Sequence, residues 1–158
     1  MADLRAAFAD AGYEDVRTYV QSGNIVVGAA ADPAELEGEA QRLIADRFGL
    51  DVPVIARSRD ELAAVVALNP LKDIATNPKR YQVSFLSEPL PADVVETLRA
   101  AATGEERLVA HGRELYAWHP DGVARSKMWN ALAGKSLGPV ATARNWTTVT
   151  TLLAMADE

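Results

Sequence analysis

Midway along the chain the segment NPLKDIATNPK, from Asn69 to Lys79, carries two Asn-Pro pairs and no hydrophobic period. A residue before proline is pushed out of the helical region, and proline itself donates no backbone hydrogen bond, so neither a helix nor a central strand runs through it. The segment reads as a linker. It divides the chain into residues 1–68 and 80–158, and each part has to supply its own sheet and its own helices.

The pattern restarts after the linker. YQVSFLS reads as a strand, PADVVETLRAAA as a helix, ERLVAHGRELYAWH as a hairpin turning near His111 and Gly112, and SKMWNALAG as a helix. VATAR is a weak strand or an extended lead into a last helix. The first part reads as a helix with Leu4, Ala7, Phe8 and Ala11 on one face and Gly12 as its stop. DVRTYVQSGNIVV then makes a hairpin around Ser22, Gly23 and Asn24. A second helix is capped by Asp32, has Pro33 at its first position and stops at Gly49, with Leu36, Ala40, Leu43, Ile44 and Phe48 inward. VPVIARS is expected to be a strand, and Ser58 or Asp60 opens a helix through Leu68. The two orders rhyme. One more strand before Met1 would make the first part β-α-β-β-α-β, like the second. The expected class is α+β: two ferredoxin-like units, the first missing its opening strand, plus a C-terminal helix.

Composition narrows the function classes. Of 158 residues 49% are apolar, enough for a packed core, and the net charge of −6 argues against a broad phosphate-binding surface. Nucleic acid is therefore a disfavoured partner, although Tyr19, Tyr81, Tyr116 and Trp118 could supply stacking aromatics on an open sheet. There is no cysteine, which excludes disulfides and thiolate metal sites and fits a cytoplasmic protein. The first residues, MADLRAAFADAG, lack the basic and apolar blocks of a secretory signal, and no apolar run is long enough to span a membrane. His111 and His119, the only two histidines, lie on one hairpin where they could face each other across it, but they lack an evident third ligand. No metal and no cofactor is expected. AGKS, residues 133–136, resembles a phosphate-loop ending, but Trp129 stands where that loop needs glycine. The carboxylates fall mostly on helix faces and read as solvated surface.

Three stretches offer polar side chains for binding. In TARNW, residues 142–146, Trp146 starts an apolar face with Val149, Leu152, Leu153 and Ala156 and is expected in the core, while Thr142 or Asn145 caps the helix. Arg144 beside that helix start serves either as an anion holder or as a clasp to the first part. In RTYVQSGN, strand alternation puts Arg17, Tyr19 and Gln21 on one face, where they line a ligand site or a hydrogen-bonded seam, with Ser22, Gly23 and Asn24 making the turn. In HPDGVARSK, Asp121 and Gly122 turn, Ser126 caps a helix, and Arg125 and Lys127 add positive charge at its start.

The segments DVRTYVQSGNIVV, NPL, FLS, LYAWHPDGVARSK and TARNWTTVTTLL, in this order, resemble the family catalogued as domain of unknown function 1697. The resemblance spans essentially the whole chain and implies two ferredoxin-like subdomains with no assigned activity. Members of that family open with a further strand before the first helix; its absence would leave a sheet edge that invites pairing with another chain. The expectation is a cytoplasmic, non-catalytic binding or interaction module, monomer or homodimer. Its polar site would lie between the subdomains, built from Arg17, Tyr19, Gln21, Asn24, Lys127, Arg144 and Asn145, with a small anionic ligand as partner. The alternative is a small enzyme acting on an anionic metabolite; no catalytic residue can be selected from the sequence.

Overall fold

The computed structural model describes residues 2–19, 23–28, 32–124, 126–133 and 138–157. It is an α+β protein with two antiparallel sheets, one of two strands and one of four. The chain forms two compact units: residues 1–63 with 151–158, and residues 64–150.

In the first unit α1 (Ala2–Asp10) leads to β1 (Glu14–Tyr19) and β2 (Asn24–Gly28), which pair antiparallel, and then to α2 (Pro33–Phe48). Ala7 and Phe8 are buried, and α1 packs on β1 and α2. The ends of α2 follow from local chemistry. The Asp32 carboxylate accepts from the Ala34 N–H at 3.4 Å, Pro33 fills a position whose N–H would have no helical acceptor, and Gly49 takes the left-handed conformation at φ 65°. The apolar stripe of α2 is less buried than its spacing implies: Ala40 is inside, but Phe48 is 37% exposed.

The expected strand over VPVIARS does not form. Residues 49–58 have no regular structure, and no ladder joins them to a strand among the described residues. A β-rich run becomes a strand only when a neighbour takes up its backbone groups. Here the Val54 N–H donates to the Gln41 side-chain carbonyl at 3.0 Å instead. Helix α3 (Arg59–Leu68) then opens on a reciprocal cap, in which the Glu61 N–H donates to Ser58 Oγ at 3.1 Å and the Ser58 N–H to Glu61 Oε1 at 2.9 Å.

The second unit contains β3 (Tyr81–Leu86), α4 (Ala92–Ala100), β4 (Arg107–His111), β5 (Glu114–Trp118), α5 (Lys127–Ala133) and β6 (Ala141–Asn145), with the start of α6 (Trp146–Ala156). Its strands lie in the order β4-β5-β3-β6, each neighbour antiparallel. One sheet face supplies Leu86, Leu108, Leu115 and Ala117, which pack with Leu98 of α4 and Met128 and Leu132 of α5. The opposite face carries Tyr81, Val83, Phe85 and Tyr116, all buried as well. Tyr81 donates to Asn69 Oδ1 at 2.9 Å and Tyr116 to the Val65 carbonyl at 3.0 Å, so the buried phenols are satisfied. Burial pushes the Tyr81 phenol up to about 12 and Tyr116 up as well, so both stay neutral donors. No helix among the described residues is long and apolar enough to cross a membrane.

Candidate functional site

The residues singled out from the sequence are divided between the two units. Arg17 sits in β1 opposite Val26 and ion-pairs with Asp15 at 3.4 Å. Tyr19 ends β1 opposite Asn24, whose buried side chain donates to the Tyr19 carbonyl at 3.0 Å and fixes the hairpin. Gln21, Ser22, Arg125 and most of AGKS lie outside the described residues. In the second unit Lys127 opens α5 and is exposed. Arg144 lies in β6 opposite Val83, and its Nη1 donates to Thr142 Oγ1 at 2.7 Å and to the Ala143 carbonyl at 2.8 Å; burial draws its pKa below the usual guanidinium value. Asn145, the next residue, points to the other sheet face and caps α6, accepting from the Thr148 N–H at 2.9 Å. Trp146 is half-buried rather than in the core: it stacks on Tyr81 with ring centroids 4.8 Å apart, and its N–H donates to the Pro78 carbonyl.

The histidines do not face each other. Antiparallel register pairs His111 with Glu114 beside the turn and Arg107 with Trp118 at the open end, so one further step sets His119 opposite Glu106. His119, fully buried, presents Nδ1 to Glu106 Oε2 at 2.8 Å. Ser126 Oγ donates to the same oxygen at 2.6 Å while accepting from the Trp129 N–H, which makes it the cap of α5 as its position implied. Glu106 Oε1 accepts from the Thr103 N–H at 3.0 Å and from Thr103 Oγ1 at 3.3 Å. Burial alone would raise the Glu106 pKa; the hydrogen bonds from Ser126, Thr103 and His119 outweigh it and hold the carboxyl below its ordinary value. The Trp129 ring meets His119 edge-on at 5.7 Å, and among the described residues nothing hydrogen-bonds to His119 Nε2.

This trio is not wired for nucleophilic attack. The serine hydroxyl gives its proton to the carboxylate, and its 3.3 Å approach to the histidine is to Nδ1, the nitrogen already engaged by Glu106. Chemically it is a buried clasp. Among the described residues, no group of three His, Asp or Glu side chains is placed to hold a metal.

Strand alternation sends Arg107 to the sheet face opposite Glu106. There Arg107, its cross-strand neighbour Trp118, Arg80, Asn77, Glu105 and Pro120 line an open cleft of about 640 Å³. Arg107 Nη1 donates to the Glu106 carbonyl at 2.8 Å, and Arg80 Nη1 donates to the Pro120 carbonyl. Among the described residues neither guanidinium has a carboxylate within ion-pair distance. The sequence reading passed over Arg80, Glu106 and Arg107. For Glu106 and Arg107 a signal was present, since counting outward from the Gly112 turn brings Glu106 to His119 and Arg107 to Trp118; no local pattern brings Arg80 to them.

Residues 1–116 match the family described as "Protein of unknown function (DUF1697)". No curated protein matches the chain. A solved structure of a conserved bacterial protein from Streptococcus pneumoniae is similar with a TM-score of 0.73 at 20% identity, over 99% of this chain and 88% of that one, a likeness of fold. With its family match over most of its length, the chain belongs to the DUF1697 family of proteins of unknown function.

Proposed function

We propose that this protein is a non-catalytic binding module for a small anionic ligand, taken up in the cleft of the second unit by Arg80 and Arg107. One observation carries the reading. Two guanidiniums share a cleft, each moored to a backbone carbonyl and, among the described residues, neither ion-paired to a carboxylate. A guanidinium offers five donors in a fixed fork, so each arginine keeps donors for a phosphate, sulfate or carboxylate after giving one to its carbonyl. Glu105 on the rim favours a ligand that also brings a hydrogen-bond donor. Lys127 and Arg144 do not line this cleft, and Arg144 already spends donors on Thr142 and Ala143.

Binding is favoured over catalysis because the Ser126-His119-Glu106 grouping is arranged as a clasp. It is favoured over nucleic-acid recognition because Tyr81, Tyr116 and Trp118 are 1%, 1% and 6% exposed and offer no stacking platform. The element order β-α-β-β-α-β and the strand order β4-β5-β3-β6 support a ferredoxin-like reading of the second unit. The lack of cysteine supports a cytoplasmic location.

A thermal-shift series with sulfate and with a panel of phosphorylated and carboxylated metabolites tests the proposal. A ligand at a hundred times its dissociation constant adds about 2.7 kcal/mol of stability. That gain is expected in the wild type and is expected to disappear in Arg80→Ala and Arg107→Ala. Equal protection of all three proteins, or of none, would sink it.

A further inference from the structure

We infer that Glu106 is a positioning residue of the anion cleft, which it shapes from the opposite face of the sheet; this rests on the anion-binding reading above. Glu106 meets both arginines only through the backbone. Its own carbonyl receives Arg107 Nη1, and its carboxylate holds the His119 ring by Nδ1 at 2.8 Å. His119 is in turn the hinge between Glu106 and Arg80. Its N–H donates to the Arg80 carbonyl at 3.0 Å, and the next carbonyl, that of Pro120, receives Arg80 Nη1. Both guanidiniums are therefore tied to carbonyls of, or next to, residues that the carboxylate of Glu106 locks in place.

The lock is stiff. Both carboxylate oxygens are used, one by Thr103 and the other by His119 and Ser126, and the Glu106 N–H donates to the Thr103 carbonyl at 3.2 Å. The His119 ring is held by hydrogen bonding through Nδ1 alone, since no described residue bonds Nε2, so its orientation depends on this carboxylate. Removing the carboxylate frees the 119–120 backbone and with it the mooring of Arg80. The cleft would then have to order Arg80 at the moment of binding, and that cost appears as lost affinity.

The test uses the full chain and sulfate, titrated calorimetrically, with the Arg80 side-chain NH resonance followed by NMR. Glu106→Gln and His119→Leu are expected to weaken sulfate binding by about tenfold, the scale of one hydrogen bond to a charged group, and to disperse the Arg80 resonance. His119→Asn should restore both, because the asparagine amide nitrogen reaches the place of Nδ1 and can donate to Glu106. A folded Glu106→Gln protein with wild-type affinity and an unchanged Arg80 signal overturns the inference. If Glu106→Gln does not fold, the histidine pair decides, and equal behaviour of the Leu and Asn variants overturns it. A wild type that binds no sulfate at this cleft removes the anion reading. The positioning claim is then still judged by whether the Arg80 signal survives in the variants, where survival refutes it and loss upholds it.

Discussion

Glu106 is the residue whose environment departs furthest from what its type leads one to expect. A glutamate between another glutamate and an arginine reads as surface, yet it is 8% exposed with four hydrogen bonds to its carboxylate. Those bonds favour the charged form, so the folded protein holds the carboxyl below its ordinary value of 4.5. In the unfolded chain the carboxyl returns to that ordinary value. The group therefore contributes stability that is fully present above the unfolded pKa and is lost as pH falls through the folded one. Melting curves should accordingly show a drop as the pH falls below the ordinary carboxyl value of 4.5. Glu106→Gln should melt lower at neutral pH and show a shallower acid limb. Parallel curves for the two proteins across that range would mean that Glu106 titrates alike in both states. The hairpin count from Gly112 pairs Glu106 with His119, but its burial also needs Ser126, which arrives only when α5 is in place.

Elements whose ends are set by local chemistry were legible from sequence. The Asp32 start of α2, the Ser126 cap of α5 and the Asn145 cap of α6 each follow from one side chain meeting a free N–H group within three residues, and the Gly49 stop of α2 follows from glycine's ease in the left-handed conformation. Of the threonines after Trp146, Thr150 bonds its Oγ1 back to the carbonyls of Trp146 and Thr147 at 3.1 Å each. Elements that need a distant partner were not legible. VPVIARS has every local mark of a strand but, among the described residues, no ladder, and Phe48 has the right spacing yet remains exposed. The candidate cleft belongs to this second group, since Arg80 and Arg107 meet only through the register of β3, β4 and β5. For the caps the prediction is direct. Asn145→Ala should cost about 1 kcal/mol in a denaturant titration and Asn145→Asp should cost much less, since aspartate caps as well as asparagine. An equal loss in both variants would show that Asn145 matters for something other than its oxygen.

The two units differ in how their backbone is secured, and that difference sets where the molecule opens. The second unit has a four-stranded sheet with buried side chains on both faces of its central strands, β3 and β5. The first has a two-stranded sheet followed by residues 49–58, where Leu50 and Val52 are 54% and 42% exposed and the Val54 amide is held by a glutamine side chain. Local opening costs least where apolar contacts are few and backbone hydrogen bonds are exposed. In native-state hydrogen exchange, the amides of Val83, Phe85, Leu115 and Ala117 should be the slowest and should track global unfolding. Amides over 50–57 should exchange at rates close to those of an unstructured chain, with Val54 the exception by a modest factor. The Gln41→Ala variant should remove that exception without changing the β3 and β5 amides, because the bond it deletes lies in the first unit and supports no ladder. Strong protection across alternate residues of 52–58 would show the opposite, a strand whose ladder partner is taken up in solution, and would restore the reading that its sequence invites.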